Sequence, residues 1–570
     1  MTLRKGEYNM RTILIIFTIS LAAVFSCTVP HYDYDVIIRG GTVYDGSGGE
    51  PYTADIAINA DSIQTIGTLG NERGRIEIDA GGLAVAPGFI NILSWAANPL
   101  IEDGRSQSNI RQGVTLEVFG EGFTMGPLND EMKKRMKERQ GSIQFDIEWT
   151  TLDEFLVYLT ERGVSPNVAS LVGASTVRSY VLGYENRPPT SDELDQMRQL
   201  VREAMEDGAP GVGTALIYTP GLYADTDELI ALAEVAAEYD GVFTSHIRSE
   251  GNTFIESVEE LLTIARESGV RTHIYHLKAA GEDNWHKLDT VIEMVEQARA
   301  EGLPVTADIY TYTAGATGLD AAMPPWVQEG GYDMWAERLK DPEIRERVKE
   351  EMVTPTDEWE NLYLASGSAE NVLLRGFRNE ELQHLTGKTL AEIAEMRGQS
   401  PEETAMDLVI EDGSRVGVVY FFMSEENVRI KVKLPWVTFG SDAGSMAPEG
   451  VFLESNPHPR AYGNFARLFG KYVRDEGLIS LEEAVRRTTS FPASILAIDR
   501  RGLLSEGYFA DIVVFDPETI QDHATYEDAH QYATGVYHVF VNGEQVVWDG
   551  EHTGALPGRV VRGPGWNRTK

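Results

Sequence analysis

From about residue 83 to residue 439 the chain alternates short apolar runs with amphipathic ones, and this alternation limits the fold more than any other feature. The apolar runs Leu83–Leu93, Val114–Phe119, Val168–Val172, Val212–Leu216, Val242–Ile247, His273–Leu277, Val305–Tyr310 and Val437–Phe439 read as buried strands. Helical periods such as "SDELDQMRQLVREAMEDG" and "TDELIALAEVAAEYDG" lie between many of them. Eight such strands alternating with helices predict an α/β chain built as a (β/α)8, TIM-like barrel. The interval 318–430 is far longer than an ordinary loop and carries helix-like stretches such as "MWAERLKDPEIRERVKEEM". A helical insertion, a lid or subdomain, is therefore expected before the last barrel strand.

The two ends read differently. "YDVIIRGGTVYDG" and "ADIAINADSIQTIG" near the start, and "GYFADIVVFDPETI" and "VYHVFVNGEQVVWDGE" near the end, alternate in period two with Gly, Asn and Asp turns. They predict antiparallel sheets, residues 34–86 pairing with 499–562 in one small domain around a barrel of 87–498. Ahead of them, "MRTILIIFTISLAAVFSC" has a basic start, an apolar run Ile13–Phe25 and a small residue before Cys27, the pattern of a secretion signal over residues 1–27. The apolar run is short for a membrane span. "VFSC" resembles a bacterial lipobox, so Cys27 is expected to carry a lipid. The mature protein is then a periplasmic or cell-envelope lipoprotein that touches the membrane only through that anchor. Cys27 is the single cysteine of the chain, which excludes a disulfide framework and a thiolate metal ligand in the mature body. The net charge of −40, from 89 acids against 49 bases, repels phosphate backbones and excludes a nucleic-acid partner.

A barrel carries its active site at the C-terminal ends of its strands. There the sequence presents Glu121 between two glycines after the second strand, His246 after the fifth, and His276 and Lys278 after the sixth. Asp308, Tyr310 and Tyr312 follow the seventh, and Asp442 the eighth. Each has a plain structural role open to it: a lone histidine is usually just hydrogen-bonded, a glycine-flanked Glu is usually a turn residue, and the Asp of "GSDAG" often caps a helix. Together, two imidazoles on adjacent strands with carboxylates near strands two and eight suit a divalent-metal hydrolase.

The motifs "PGFI", "SNIRQGVTLEVFGEG", "SLVGASTVR", "FTSHIRSEG", "YHLKAAG", "TFGSDAG", "GYFADIVVFDP" and the long run "NPHPRAYGNFARLFGKYVRDEGLISLEEAVRR" make the chain resemble the N-acyl-D-amino-acid deacylases (D-aminoacylases) of the amidohydrolase superfamily, from about Tyr34 onward. The resemblance implies a metal-dependent barrel with a small β-sandwich from both chain ends. It implies that His246 and His276 are metal ligands, that Asp442 is the catalytic acid and base, that Lys278 and Tyr310 contact the substrate amide, and that Arg460 in "HPR" binds the substrate carboxylate. The chain also departs from the family. The strand-one His-x-His is Leu93 and Trp95, the strand-two cysteine ligand is Glu121, Ala174 stands where a histidine is common, and strand four ends in "GTALIYTP" without a lysine.

Ligand supply then gives one zinc per chain on Glu121, His246 and His276, with "NILSW" as an apolar wall. The implied reaction is hydrolysis of the linear amide of a small N-acyl, D-configured amino acid. Zinc-activated water would attack, Asp442 would move the proton and Tyr310 would support the oxyanion. Two alternatives stand beside it: a cyclic-amide hydrolase or dipeptidase on the same fold, and a metal-free binding lipoprotein that has lost catalysis.

Overall fold

The computed structural model describes residue 2 and residues 31–566; the signal segment and Cys27 lie outside the described residues. Eight parallel strands make the barrel: β1 (Phe89–Asn91), β2 (Val114–Phe119), β3 (Asn167–Ser170, resumed at Val172–Gly173), β4 (Gly211–Ala215), β5 (Val242–His246), β6 (Arg271–Ile274), β7 (Val305–Ile309) and β8 (Val437–Phe439). Parallel pairing runs β1–β2–β3 and, through the second half of β3, on to β8. The ring closes just past the ends of β1 and β8. There the Asp442 N–H donates to Leu93 O at 2.9 Å and the Trp95 N–H to Ala443 O at 3.0 Å. A polar lock lies beneath this seam. The Asn91 amide donates to Glu117 and to Ser441 Oγ, both at 2.8 Å, and accepts from the Ser441 N–H at 2.7 Å.

The helices follow from their spacing and caps. Ser191–Glu206 starts at a capping box between Thr190 and Glu193 and turns Met197, Val201 and Met205 inward. Those side chains join the core formed between the barrel and its outer helices, with Val212, Leu232 and Phe243.

One expected strand divides. Ala84–Pro87 pairs antiparallel with Ile512–Phe515, whereas Phe89–Asn91 is β1, and Gly88 lies between them. The run Leu83–Leu93 was continuous in hydrophobicity because both halves are buried, so periodicity alone could not separate them. The two chain ends share one nine-stranded sheet in which Ala84–Pro87 joins the N-terminal strands to the C-terminal ones. The long interval before β8 is not purely helical. It holds helices such as Pro342–Met352 and Pro401–Asp412, and also an antiparallel sheet of Ala314–Gly318, Gly417–Phe421 and Val372–Gly376. This unit has its own core around Met323, Trp335, Leu374 and Val418.

Asn464 fixes the rim of the barrel. Its side chain accepts from the Thr311 N–H at 2.9 Å and donates to Gly440 O at 2.9 Å, joining the ends of β7 and β8 where Tyr310 and Asp442 sit. It is fully buried. Asn464→Ala leaves those groups without partners and should cost roughly 1–3 kcal/mol of stability, read as a lowered urea midpoint with unchanged m-value.

Candidate metal centre and active-site cavity

Glu121 is delivered by a turn that needs glycine on both sides. Gly120 and Gly122 have φ of +118° and +72°. A Cβ on Gly120 would stand 2.7 Å from Leu171 O, and one on Gly122 would stand 2.7 Å from the Ala215 Cβ. Close approach of β3 and β4 therefore presses the Glu121 carboxylate into the mouth of the barrel. His276 and Asp442 also take positive φ, 35° and 47°, immediately after β6 and β8. These turns aim both side chains inward.

Glu121 Oε1 lies 2.9 Å from His246 Nδ1 and 2.9 Å from His276 Nε2. The three buried residues offer donor atoms that all lie within 4.8 Å of one another. His246 Nε2 is buried without a hydrogen-bond partner among the described residues. Two imidazoles and a carboxylate are an accepted catalytic zinc set, so the donors fit the ion that the resemblance implies.

Trp95 is more than wall. Its indole N–H lies 3.0 Å from Glu121 Oε2 and 3.0 Å from Asp442 Oδ1, donating between two carboxylates. The ring is 46 % exposed, and it lines the cavity. Leu93 keeps the expected apolar role, packed with Ile92 and Val118.

Asp442 completes a chain to Arg460, its Oδ2 2.8 Å from Arg460 Nη2. Burial pushes the Asp442 carboxyl up and Arg460 opposes it. Arg460 Nε and Nη1 are buried and have no hydrogen-bond partner among the described residues. Its guanidinium stands 4.3 Å from the centre of the Tyr310 ring. The Tyr310 hydroxyl meets the Met423 sulfur at 3.4 Å, a weak acceptor. Lys278 lies at the same mouth, but its ammonium donates to Glu250 at 2.6 Å.

Glu250 is a residue that sequence reading missed. It is buried, 2.9 Å from His276 Nδ1, on the side of the ring away from Glu121. Burial alone would raise its carboxyl, yet Lys278, His246 and His276 hold it down at about 2. A carboxylate behind a ligating histidine orients the ring and fixes its tautomer. The signal was present in "SHIRSEG", four residues after His246, but a glutamate in a loop has no periodic signature. Asp308 supports His276 from beneath, accepting its backbone N–H at 3.1 Å while it bonds His273 at 2.9 Å. Tyr312 turns away to Asp522.

All seven polar residues singled out as ligands, proton carrier or substrate contacts border one cavity of about 1030 Å³. It opens between the barrel mouth and the inserted sheet.

A barrel with two histidines after β5 and β6, an acid after β8 and a sandwich from both chain ends defines a metal-dependent amidohydrolase. Residues 127–547 match the Amidohydrolase family (Amidohydro_3), and the chain belongs to it. It is 32 % identical over 532 residues to the D-aminoacylase of Alcaligenes xylosoxydans xylosoxydans, covering 93 % of this chain and 97 % of that one. The N-acyl-D-aspartate deacylase of the same organism is 31 % identical, covering 92 % and 95 %. Among solved structures, the N-acyl-D-glutamate deacylase of Bordetella bronchiseptica, complexed with zinc and a phosphonate mimic of the tetrahedral intermediate, superposes with a TM-score of 0.76. It is 30 % identical, with 93 % of this chain and 99 % of that chain covered.

Trp95→Phe keeps an aromatic ring, though a smaller one, and removes the bridging N–H. It should lower kcat about 10–100-fold, the equivalent of one charge-assisted hydrogen bond, with metal content unchanged. A variant with wild-type turnover would reduce Trp95 to packing.

Proposed function

We propose that this chain is a zinc-dependent hydrolase that cleaves the linear amide of N-acyl D-amino acids, releasing a carboxylic acid and the free amino acid. The observation that carries the reading is the convergence of Glu121, His246 and His276 beside an Asp442 that is tied to Arg460. A metal-free binding protein has no need to keep these together.

An ion held by Glu121, His246 and His276 would supply Lewis acidity and bring a water's pKa to about 7. Asp442 accepts the attacking water's proton and returns it to the leaving nitrogen. The indole of Trp95 keeps Asp442 Oδ1 turned toward Glu121. Tyr310, whose hydroxyl meets a thioether, a weak acceptor, donates to the developing oxyanion. Glu250 holds the His276 ring in place. The free edge of Arg460 receives the substrate α-carboxylate. We assign one ion per chain, because Leu93 offers no donor and Trp95 offers only an N–H. Export, and anchoring through a lipid on Cys27, belong to the same reading and are supported by the N-terminal sequence.

Release of free amine from a panel of N-acetyl D- and L-amino acids tests the activity directly; no turnover with any of them would overturn it. Metal analysis should find about one zinc per chain, lost or much weakened in Glu121→Ala. Two ions per chain, or unchanged binding in that variant, would overturn the single-metal assignment. Asp442→Asn should retain the metal and lose kcat by roughly 10²-fold or more. Because Arg460 is also the counter-ion of Asp442, Arg460→Ala should raise KM for free acids and lower kcat together.

A further inference from the structure

The inserted sheet brings a second guanidinium to the cavity that holds Arg460. Arg375 sits at the end of Val372–Gly376, where the register against Gly417–Phe421 shifts between Leu374 and Gly376. Such a bulge re-aims a side chain. The Arg375 side chain lies across Gly417, where a Cβ would meet Nη2 at 3.0 Å, so the missing side chain there makes its bed. The backbone is pinned as well: the Asn456 N–H donates to Arg375 O at 2.6 Å, four residues before Arg460. This ties the insertion to the segment that carries Arg460.

Three other cations of the cavity have carboxylate partners. Arg415 pairs with Asp320 at 2.8 Å, Arg460 with Asp442 at 2.8 Å, and Lys278 with Glu250 at 2.6 Å. Arg375 has no carboxylate partner among the described residues, and its Nε is buried without a hydrogen bond. Burial, with the nearby charge of Arg460, lowers it to about 10. The Arg375 side chain is partly buried, and a guanidinium with a buried, unpaired Nε beside another cation is costly.

We propose that Arg375 is the recognition site for a second carboxylate, so that the substrates are N-acyl amino acids with acidic side chains. The free edge of Arg460 takes the α-carboxylate and Arg375 the carboxylate of the side chain, each as a planar fork. The proposal rests on the hydrolase reading above and deepens it. Family membership does not choose among substrates, since relatives named for D-amino acids in general, for D-aspartate and for D-glutamate are 32, 31 and 31 % identical.

The test compares N-acetyl-D-glutamate with N-acetyl-D-glutamine, and N-acetyl-D-aspartate with N-acetyl-D-asparagine, on the zinc-loaded full chain. The pairs differ only in the side-chain charge. We expect kcat/KM for at least one acid to exceed that of its amide by 100-fold or more, mainly through KM. In Arg375→Ala and Arg375→Gln the ratio should fall to within about 3-fold of unity. A wild-type ratio near one, or a ratio unchanged in both variants, overturns the proposal. Should no N-acyl amino acid be hydrolysed, the hydrolase reading fails by itself, and thermal shift still decides the subsite. Stabilisation by N-acetyl-D-glutamate that exceeds that by N-acetyl-D-glutamine, and that is lost in Arg375→Gln, supports it; equal stabilisation overturns it.

Discussion

One carboxylate draws the mouth of the barrel together. Glu121 lies between His246 from β5 and His276 from β6 and receives the indole N–H of Trp95 from the seam of β1 and β8. An unpaired carboxylate at that depth would be expensive, and its neighbours hold it far below the usual carboxylate range in spite of burial. The close packing that forbids a side chain at Gly120 or Gly122 leaves Glu121 no other direction. The arrangement that satisfies this charge is also the one that gathers the donors of a metal centre.

Departures from the family pattern at Leu93 and Trp95 therefore do not mark a ruined site. Leu93 joins the core beneath the seam, and Trp95 supplies a neutral donor between Glu121 and Asp442. A fixed N–H between two acids reduces their mutual repulsion, though less than a second cation would. The same logic runs outward, from Asp442 to Arg460 and from His276 through Glu250 to Lys278. The polar residues of the mouth form a connected system of alternating charge.

The barrel was legible because parallel strands buried on both faces leave continuous apolar runs, and their ends point to the site. That placed His246, His276 and Asp442 before any contact was known. The division at Gly88 was not legible, since Ala84–Pro87 and Phe89–Asn91 are equally buried in different sheets. The sheet within the insertion was hidden because its strands come from segments about 40 to 60 residues apart, at positions 314–318, 372–376 and 417–421. Trp95 and Glu250 act through partners distant in sequence, and Arg375 comes to the cavity of Arg460 only in the folded chain. Their residue types carry no motif, and only the folded geometry gives them meaning.

The shared end sheet has a consequence for the order of folding. Ala84–Pro87 is flanked on one side by Thr42 and Val43, close in the chain, and on the other by Ile512–Phe515. During synthesis from the N-terminus, that second edge stays open until nearly the whole chain has emerged. An apolar strand with an open edge is a template for mispairing. Completion of the fold thus waits on the last tenth of the polypeptide, and a chain cut short before residue 512 is left with its N-terminal sheet exposed.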